Sequence, residues 1–206
     1  MSEFGVTAGL VERPYTRDPW GGTSRWYERR KRALTMAALP KARYRNAFEP
    51  GCSIGALSEE LTGRCDRLVC TDLAAQALDA ADRRIDRLPE SARGSVEFRR
   101  WALGQSWADE CFDLIVFSEV GYHLDSVALR AAFGLAVEHL DSDGTLLCVH
   151  WRRKVPEYPL SGDHVHAIAR TTQGVTATAG YHDEDILLDV FTAGDPISVA
   201  ASEHLV

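Results

Sequence analysis

The sequence predicts an α/β fold: a doubly wound sheet of seven strands, mostly parallel with an antiparallel C-terminal strand, and helices on both faces. Three observations carry this. From residue 46 short apolar runs alternate with helical stretches, the pattern of βαβ units. The run Phe112-Asp-Leu-Ile-Val-Phe117 is almost continuously apolar, as a central strand covered on both faces must be. After His150 the alternation stops, and one helical stretch is followed by two β-rich runs that read as an antiparallel pair.

The elements follow in order. Residues 1–24 are rich in Gly, Pro, Thr and Arg without periodicity and read as an extended arm. Tyr15, Trp20 and Trp26 are costly side chains to leave in water, so the arm and first helix, residues 1–39, are expected to fold over the site as a lid. Ser24 is placed to cap that helix, which runs through Tyr27, Ala33, Leu34 and Ala37 to Leu39 and is closed by Pro40. Strands are expected at 46–50, 67–72, 96–101, 112–118, 144–151, 174–181 and 186–192. Helices are expected near 55–62, 74–87, 125–140 and 162–172, with a short turn or helix around 104–109. No internal repeat interrupts residues 40–206, which read as one ligand-binding domain.

Composition narrows the function. A chain of 206 residues with 45 % hydrophobic and 26 % charged residues can bury one sizeable core. A net charge of −7 argues against a nucleic-acid backbone or an anionic membrane surface as partner and suits a small or cationic ligand. The five cysteines, Cys52, Cys65, Cys70, Cys111 and Cys148, form no C-x-x-C pair and are odd in number, which points to a reduced, cytoplasmic protein. Neither a signal peptide nor a membrane-length apolar run is visible, and a monomer or homodimer is expected.

The most informative stretch is Phe48-Glu49-Pro50-Gly51-Cys52-Ser53-Ile54-Gly55, which follows the first strand. Its small residues allow a ligand close to the backbone at the carboxyl end of the strands, where open α/β sheets bind their ligands. Asp72, followed by Leu73, ends the second strand, and a carboxylate there can accept hydrogen bonds from both hydroxyls of a ribose. A nicotinamide cofactor would call for G-x-G-x-x-G, which is not met. Glu49 beside the turn would repel a pyrophosphate but favour a ligand bearing an ammonium and a sulfonium, and S-adenosylmethionine has both.

On these residues the chain resembles the class I S-adenosylmethionine-dependent methyltransferases, Rossmann-like enzymes whose first motif is an acidic residue followed by a glycine-rich turn. Ser53 stands where glycine is commonest. The resemblance implies that Glu49, Gly51, Cys52, Gly55, Asp72 and Leu73 hold the cofactor, that Trp101 and Ala102 flank adenine, and that Phe112–Val116 is the fourth strand. A narrower resemblance, to the nodulation protein S family of N-methyltransferases, rests on Asp18-Pro-Trp20 with Tyr27-Glu28, on Ser118-Glu-Val-Gly-Tyr-His-Leu124, and on His150-Trp-Arg152 through Tyr158-Pro-Leu160 to Gly162-Asp-His-Val-His166. It implies transfer to an amine of a small polar acceptor such as an amino sugar. Trp20 in the expected lid, and Glu119 and Val120 just past the fourth strand, are further expected cofactor contacts.

Glu119, just past the fourth strand, reads either as a solvated carboxylate or as a group facing the acceptor. His123, His150 and His166 are the further candidates for accepting the amine proton: His150 ends the fifth strand, where a side chain can face the acceptor, and His166 can reach it from the following helix, while His123, just after a strand, reads also as a histidine satisfied by its neighbours. Trp101 reads equally as core. His164 and His166 lie two apart on a helix and point to different faces, so no metal site is expected. O-methylation of a hydroxyl or carboxyl, and binding of the cofactor without catalysis, remain as alternatives.

Overall fold

The computed structural model describes residues 24–107 and 109–206. Residues 1–23 of the expected arm, with Trp20 and the Asp18-Pro-Trp20 segment, lie outside the described residues. Among the described residues seven strands form one sheet: β1 (Tyr44–Pro50), β2 (Cys65–Asp72), β3 (Ser95–Arg100), β4 (Phe112–Ser118), β5 (Leu140–Trp151), β6 (Val175–His182) and β7 (Ile186–Ala193). Their order is β3-β2-β1-β4-β5-β7-β6. The first five are parallel, and β7 runs antiparallel to both β5 and β6. The chain winds outward from β1 in both directions, so β1 and β4 diverge at the switch point where this architecture opens a ligand crevice.

Alternating side chains feed two cores. Phe48, Val69, Ile115, Phe117, Leu146, Cys148 and Phe191 point to one face and Ala47, Leu68, Cys70, Leu114, Val116, Leu147 and Leu188 to the other. On the first face lie α4 (Ser126–Glu138) and α5 (Gly162–Ala169). Leu129, Ala132, Phe133 and Ala136 of α4 repeat at helical spacing and are all buried, and Asp125 caps the helix by accepting the Val127 and Ala128 N–H groups at 2.9 Å. On the second face lie α1 (Trp26–Ala38), α2 (Ser58–Leu61) and α3 (Ala75–Ile85). Ala77 and Ala81 keep α3 slim, so that it passes close to Gly55, where an added Cβ would stand 2.8 Å from Ala81 Cβ.

Several boundaries differ from expectation for identifiable reasons. Ser24 does not cap α1; Arg25 takes the cap position without a side-chain bond. The expected helix at 55–62 shrinks to the single turn α2 and a 3₁₀ turn at Thr62–Arg64, because Gly51, Ser53 and Gly55 all take positive φ and hold the chain out of helix. Of the short turn or helix expected around 104–109, the structure has the turn, at Gly104 between the bridged residues Leu103 and Gln105. A last helix, α6 (Val199–Ser202), goes beyond the expected elements, and no described helix is long and apolar enough to cross a membrane.

Candidate active site at the carboxyl edge of the sheet

The glycine-rich turn is folded back onto β2 by its own backbone. Gly51 and Cys52 both donate their N–H groups to the Thr71 carbonyl at 2.8 Å. Gly51 has φ +74°, and a Cβ there would stand 2.9 Å from Val120 Cγ2, so the position needs glycine both for conformation and for the approach of the β4 end. Ser53 adopts φ +51°, the left-handed conformation that explains why glycine is commonest here. Its N–H donates to Asp72 Oδ2 at 3.0 Å, and Ala74 N–H to Oδ1 at 2.9 Å. Burial pushes the Asp72 carboxyl up from its ordinary range, opposed by these backbone donors. Each carboxylate oxygen retains a second acceptor position for a ribose hydroxyl.

Glu49 does not stand open beside the turn, as expected, but beneath it. It is 2 % exposed and accepts hydrogen bonds from the Ser58 hydroxyl and, at 3.7 Å, from the Cys70 thiol. Burial lifts its pKa to about 7. Trp101 follows β3 and is half-buried, edge-on to Phe48 and Trp107, with its indole N–H on the Ser106 carbonyl at 3.1 Å. Ala102 is buried and its N–H meets the Gln105 amide oxygen at 2.9 Å.

Across the crevice, β4 ends in a second unusual turn. Glu119 has φ +55°, a strained conformation for a residue with a side chain. Its carboxylate binds Lys31 Nζ of α1 at 2.7 Å and accepts from the Tyr122 hydroxyl and, at 3.1 Å, from Trp151 N–H. Lys31 is 5 % exposed, is also 3.0 Å from Glu28, and lies 5.3 Å from the centre of the Tyr27 ring. Burial alone would depress the Lys31 pKa; Glu119 and Glu28 outweigh it, so the ammonium is held above its ordinary value.

Beside this ion cluster, Tyr122 and Tyr158 stack at 4.7 Å and the His123 ring stands edge-on to both. His123 Nδ1 is buried with no hydrogen-bond partner among the described residues. Burial lowers its pKa to about 4, partly offset by the Glu119 charge, so the ring is neutral at physiological pH.

The structure therefore brings Gly51, Cys52, Gly55, Asp72, Leu73, Trp101, Ala102, Glu119, Val120 and His123 to the carboxyl edge of the sheet. It places His150 and His166 differently from the expectation that they meet an acceptor. Both rings have no exposed surface and lie within the core behind the β4 turn. Sequence reasoning missed Lys31, which sits in the charged run Glu28-Arg-Arg-Lys31, and Asp189, hidden within a β-rich run. Trp26, expected within a lid, is 68 % exposed at the start of α1.

The profile of the nodulation protein S family matches residues 6–159, three quarters of the sequence. The chain belongs to this family. Nodulation protein S of Rhizobium tropici is 31 % identical over 132 residues, which is 63 % of this chain and 53 % of that protein. Its counterpart from Azorhizobium caulinodans is 27 % identical over 149 residues, 71 % of this chain and 69 % of that protein. The match to the Rhizobium tropici relative thus spans about half of that protein's length. Among solved structures, the N-methyltransferase NodS of Bradyrhizobium japonicum in complex with S-adenosyl-L-homocysteine superposes with a TM-score of 0.79 at 26 % identity, covering 91 % of this chain and 98 % of that one. A crystal structure of a protein from Pseudomonas syringae is 44 % identical with a TM-score of 0.68, covering 82 % of this chain and 99 % of that one. The family match thus spans the glycine-rich turn, Asp72 and the β4 end, and the solved relative shares the fold on which they are arranged.

Proposed function

We propose that this member of the nodulation protein S family transfers a methyl group from S-adenosylmethionine to an amine of a small polar acceptor, of which an amino sugar is an example. The observation that carries the reading is the pairing, across one switch-point crevice, of the Gly51–Gly55 turn and Asp72 with the Glu119–Tyr122–His123 cluster. The solved relative bound to S-adenosyl-L-homocysteine supports the cofactor, and its description as an N-methyltransferase supports the amine.

The residues present suit the cofactor. A side chain at Gly51 would close the cradle against Val120, and Asp72 offers spare acceptor capacity for ribose. The cofactor's sulfonium makes its methyl group electrophilic, so the protein has alignment rather than covalent chemistry to supply. Glu28 and Glu119 outnumber Lys31, leaving one excess negative charge that draws in a cationic acceptor. Attack needs the neutral amine, because an ammonium has no lone pair. His123, uncharged and with a free position at Nδ1, can take the amine hydrogen bond and orient the lone pair, and the proton lost on methylation passes to Glu119 or to water.

Calorimetric titration tests the cofactor half: S-adenosyl-L-homocysteine should bind and NAD should not. Tight NAD binding without S-adenosyl-L-homocysteine binding would overturn the proposal. The acceptor half is tested by comparing matched amine and hydroxyl acceptors.

A further inference from the structure

Every ring nitrogen of His150 and His166 has a partner, and the contacts form one chain. Gly121 N–H donates to His150 Nε2 at 3.1 Å. That nitrogen must therefore carry a lone pair, and the His150 proton sits on Nδ1, which faces His166 Nε2 at 3.1 Å. The His166 proton is then on Nδ1, 2.7 Å from Asp189 Oδ2, while Asp189 Oδ1 accepts from Arg170 at 2.9 Å. A backbone donor at one end and a carboxylate at the other permit one proton arrangement, with both rings neutral. Burial drives the His150 pKa well below its ordinary value, and the Lys31 ammonium adds to this, in keeping with a neutral ring.

The chain ends on the turn that faces the site. A Cβ at Gly121 would stand 2.7 Å from Val165 Cγ1 and 3.2 Å from His150 Nε2, so the turn is pressed against the histidine. On one side of Gly121 are Val120, which covers Gly51, and Glu119 in its left-handed conformation. On the other is Tyr122, whose ring meets His150 edge-on at 5.4 Å, followed by His123.

We propose that Asp189, His166 and His150 are positioning residues whose hydrogen-bonded chain fixes the 119–123 turn against the cofactor turn, without touching acceptor or cofactor. The inference rests on the proposed function only in taking that turn as a wall of the methyl-transfer site. A lone buried histidine could fill space equally well; a directed chain of four contacts ending on a backbone N–H sets where that backbone lies.

Long-range ¹⁵N–¹H imidazole spectra of the full chain test the arrangement directly. Both His150 and His166 should be neutral Nδ1–H tautomers at neutral pH. An Nε2–H tautomer of His150, or an imidazolium at either position, overturns the chain as drawn. Titration with S-adenosyl-L-homocysteine supplies the second arm. His150→Leu leaves Gly121 N–H without an acceptor and should weaken binding about tenfold, the ratio that one lost hydrogen bond corresponds to. His150→Gln restores an acceptor near the ε position and should recover most of that loss. Equal losses in the two folded variants, or no loss in His150→Leu, overturn positioning through Gly121. If His150→Leu does not fold, the wild-type tautomers and the His150→Gln affinity decide. If the wild type binds no S-adenosyl-L-homocysteine, the proposed function falls, while the tautomer spectra still decide the chain.

Discussion

The ammonium of Lys31 on α1 lies 2.7 Å from the carboxylate of Glu119 at the end of β4, and this ion pair fastens the first described helix to the wall of the crevice. Two carboxylates serve one buried cation there, and removing the cation leaves both without a counter-charge. Lys31→Met should therefore cost about 3 kcal/mol of stability in denaturant unfolding, the usual size for an orphaned buried charge. Adding Glu119→Gln should recover a substantial part of the loss, because the neutral amide keeps an acceptor for Tyr122 and Trp151. A loss under about 0.5 kcal/mol, typical of solvent-exposed pairs, would show that the cluster is open to water.

Asp72 holds the cofactor turn as well as offering itself to a ribose. Asp72→Ala should weaken S-adenosyl-L-homocysteine binding by about 1.5–3 kcal/mol, the worth of a hydrogen bond to a charged group. It should also lower stability by about 1 kcal/mol, since the Ser53 and Ala74 N–H groups lose their acceptor. Unchanged affinity in a folded variant would remove Asp72 from the site.

Ser53 takes a left-handed conformation that costs a side-chain-bearing residue about 1 kcal/mol. Ser53→Gly should leave thermal stability equal or raised by up to about 1 kcal/mol, the entropy of the freer unfolded chain offsetting part of the gain. Ser53→Val, β-branched at positive φ, should destabilise by at least about 1 kcal/mol. A Val variant as stable as wild type would show that the turn relaxes to another conformation.

Glu49 should make stability depend on pH in an unusual direction. Its folded-state pKa of about 7 lies above the ordinary 4.5, so the folded chain binds a proton more tightly. The stabilisation is complete below the unfolded value and is lost as pH rises through about 7. His123 opposes this, because a folded-state pKa of about 4 against an ordinary 6.5 means stability lost as pH falls across that interval. Comparing wild type with Glu49→Gln isolates the first effect. Between pH 4.5 and 8 the Gln variant should gain about 3 kcal/mol relative to wild type, following 1.36 kcal/mol per pKa unit. Parallel pH profiles would mean that Glu49 is solvated.

Much of the sheet was legible in the sequence because burial on both faces leaves an apolar mark: Phe112–Ser118 emerged with the expected bounds, and the antiparallel end of the sheet followed from the break after His150. What was not legible depends on conformation or on distant partners. No residue type announces that Ser53 will take positive φ, and so the helix at 55–62 was overestimated. Glu49 and Asp72 look alike in sequence, but one turns under the glycine turn to Ser58 while the other meets its backbone. His150 and His166 read as acceptor-facing groups because Asp189, the partner that draws them inward, lies 23 residues beyond His166. Lys31 finds Glu119 at a separation of 88 residues, which no local pattern encodes.

Methyl transfer to an amine is tested most directly by mass spectrometry of one amino sugar and its matched hydroxyl analogue, each incubated with the full chain and S-adenosylmethionine. The amine should gain mass in steps of one methyl group, at a rate that rises with pH as the ammonium deprotonates and then levels, while the hydroxyl analogue gains none. Methylation of the hydroxyl analogue at an equal rate would contradict the amine assignment, and methylation of neither would contradict the proposed activity on acceptors of this class.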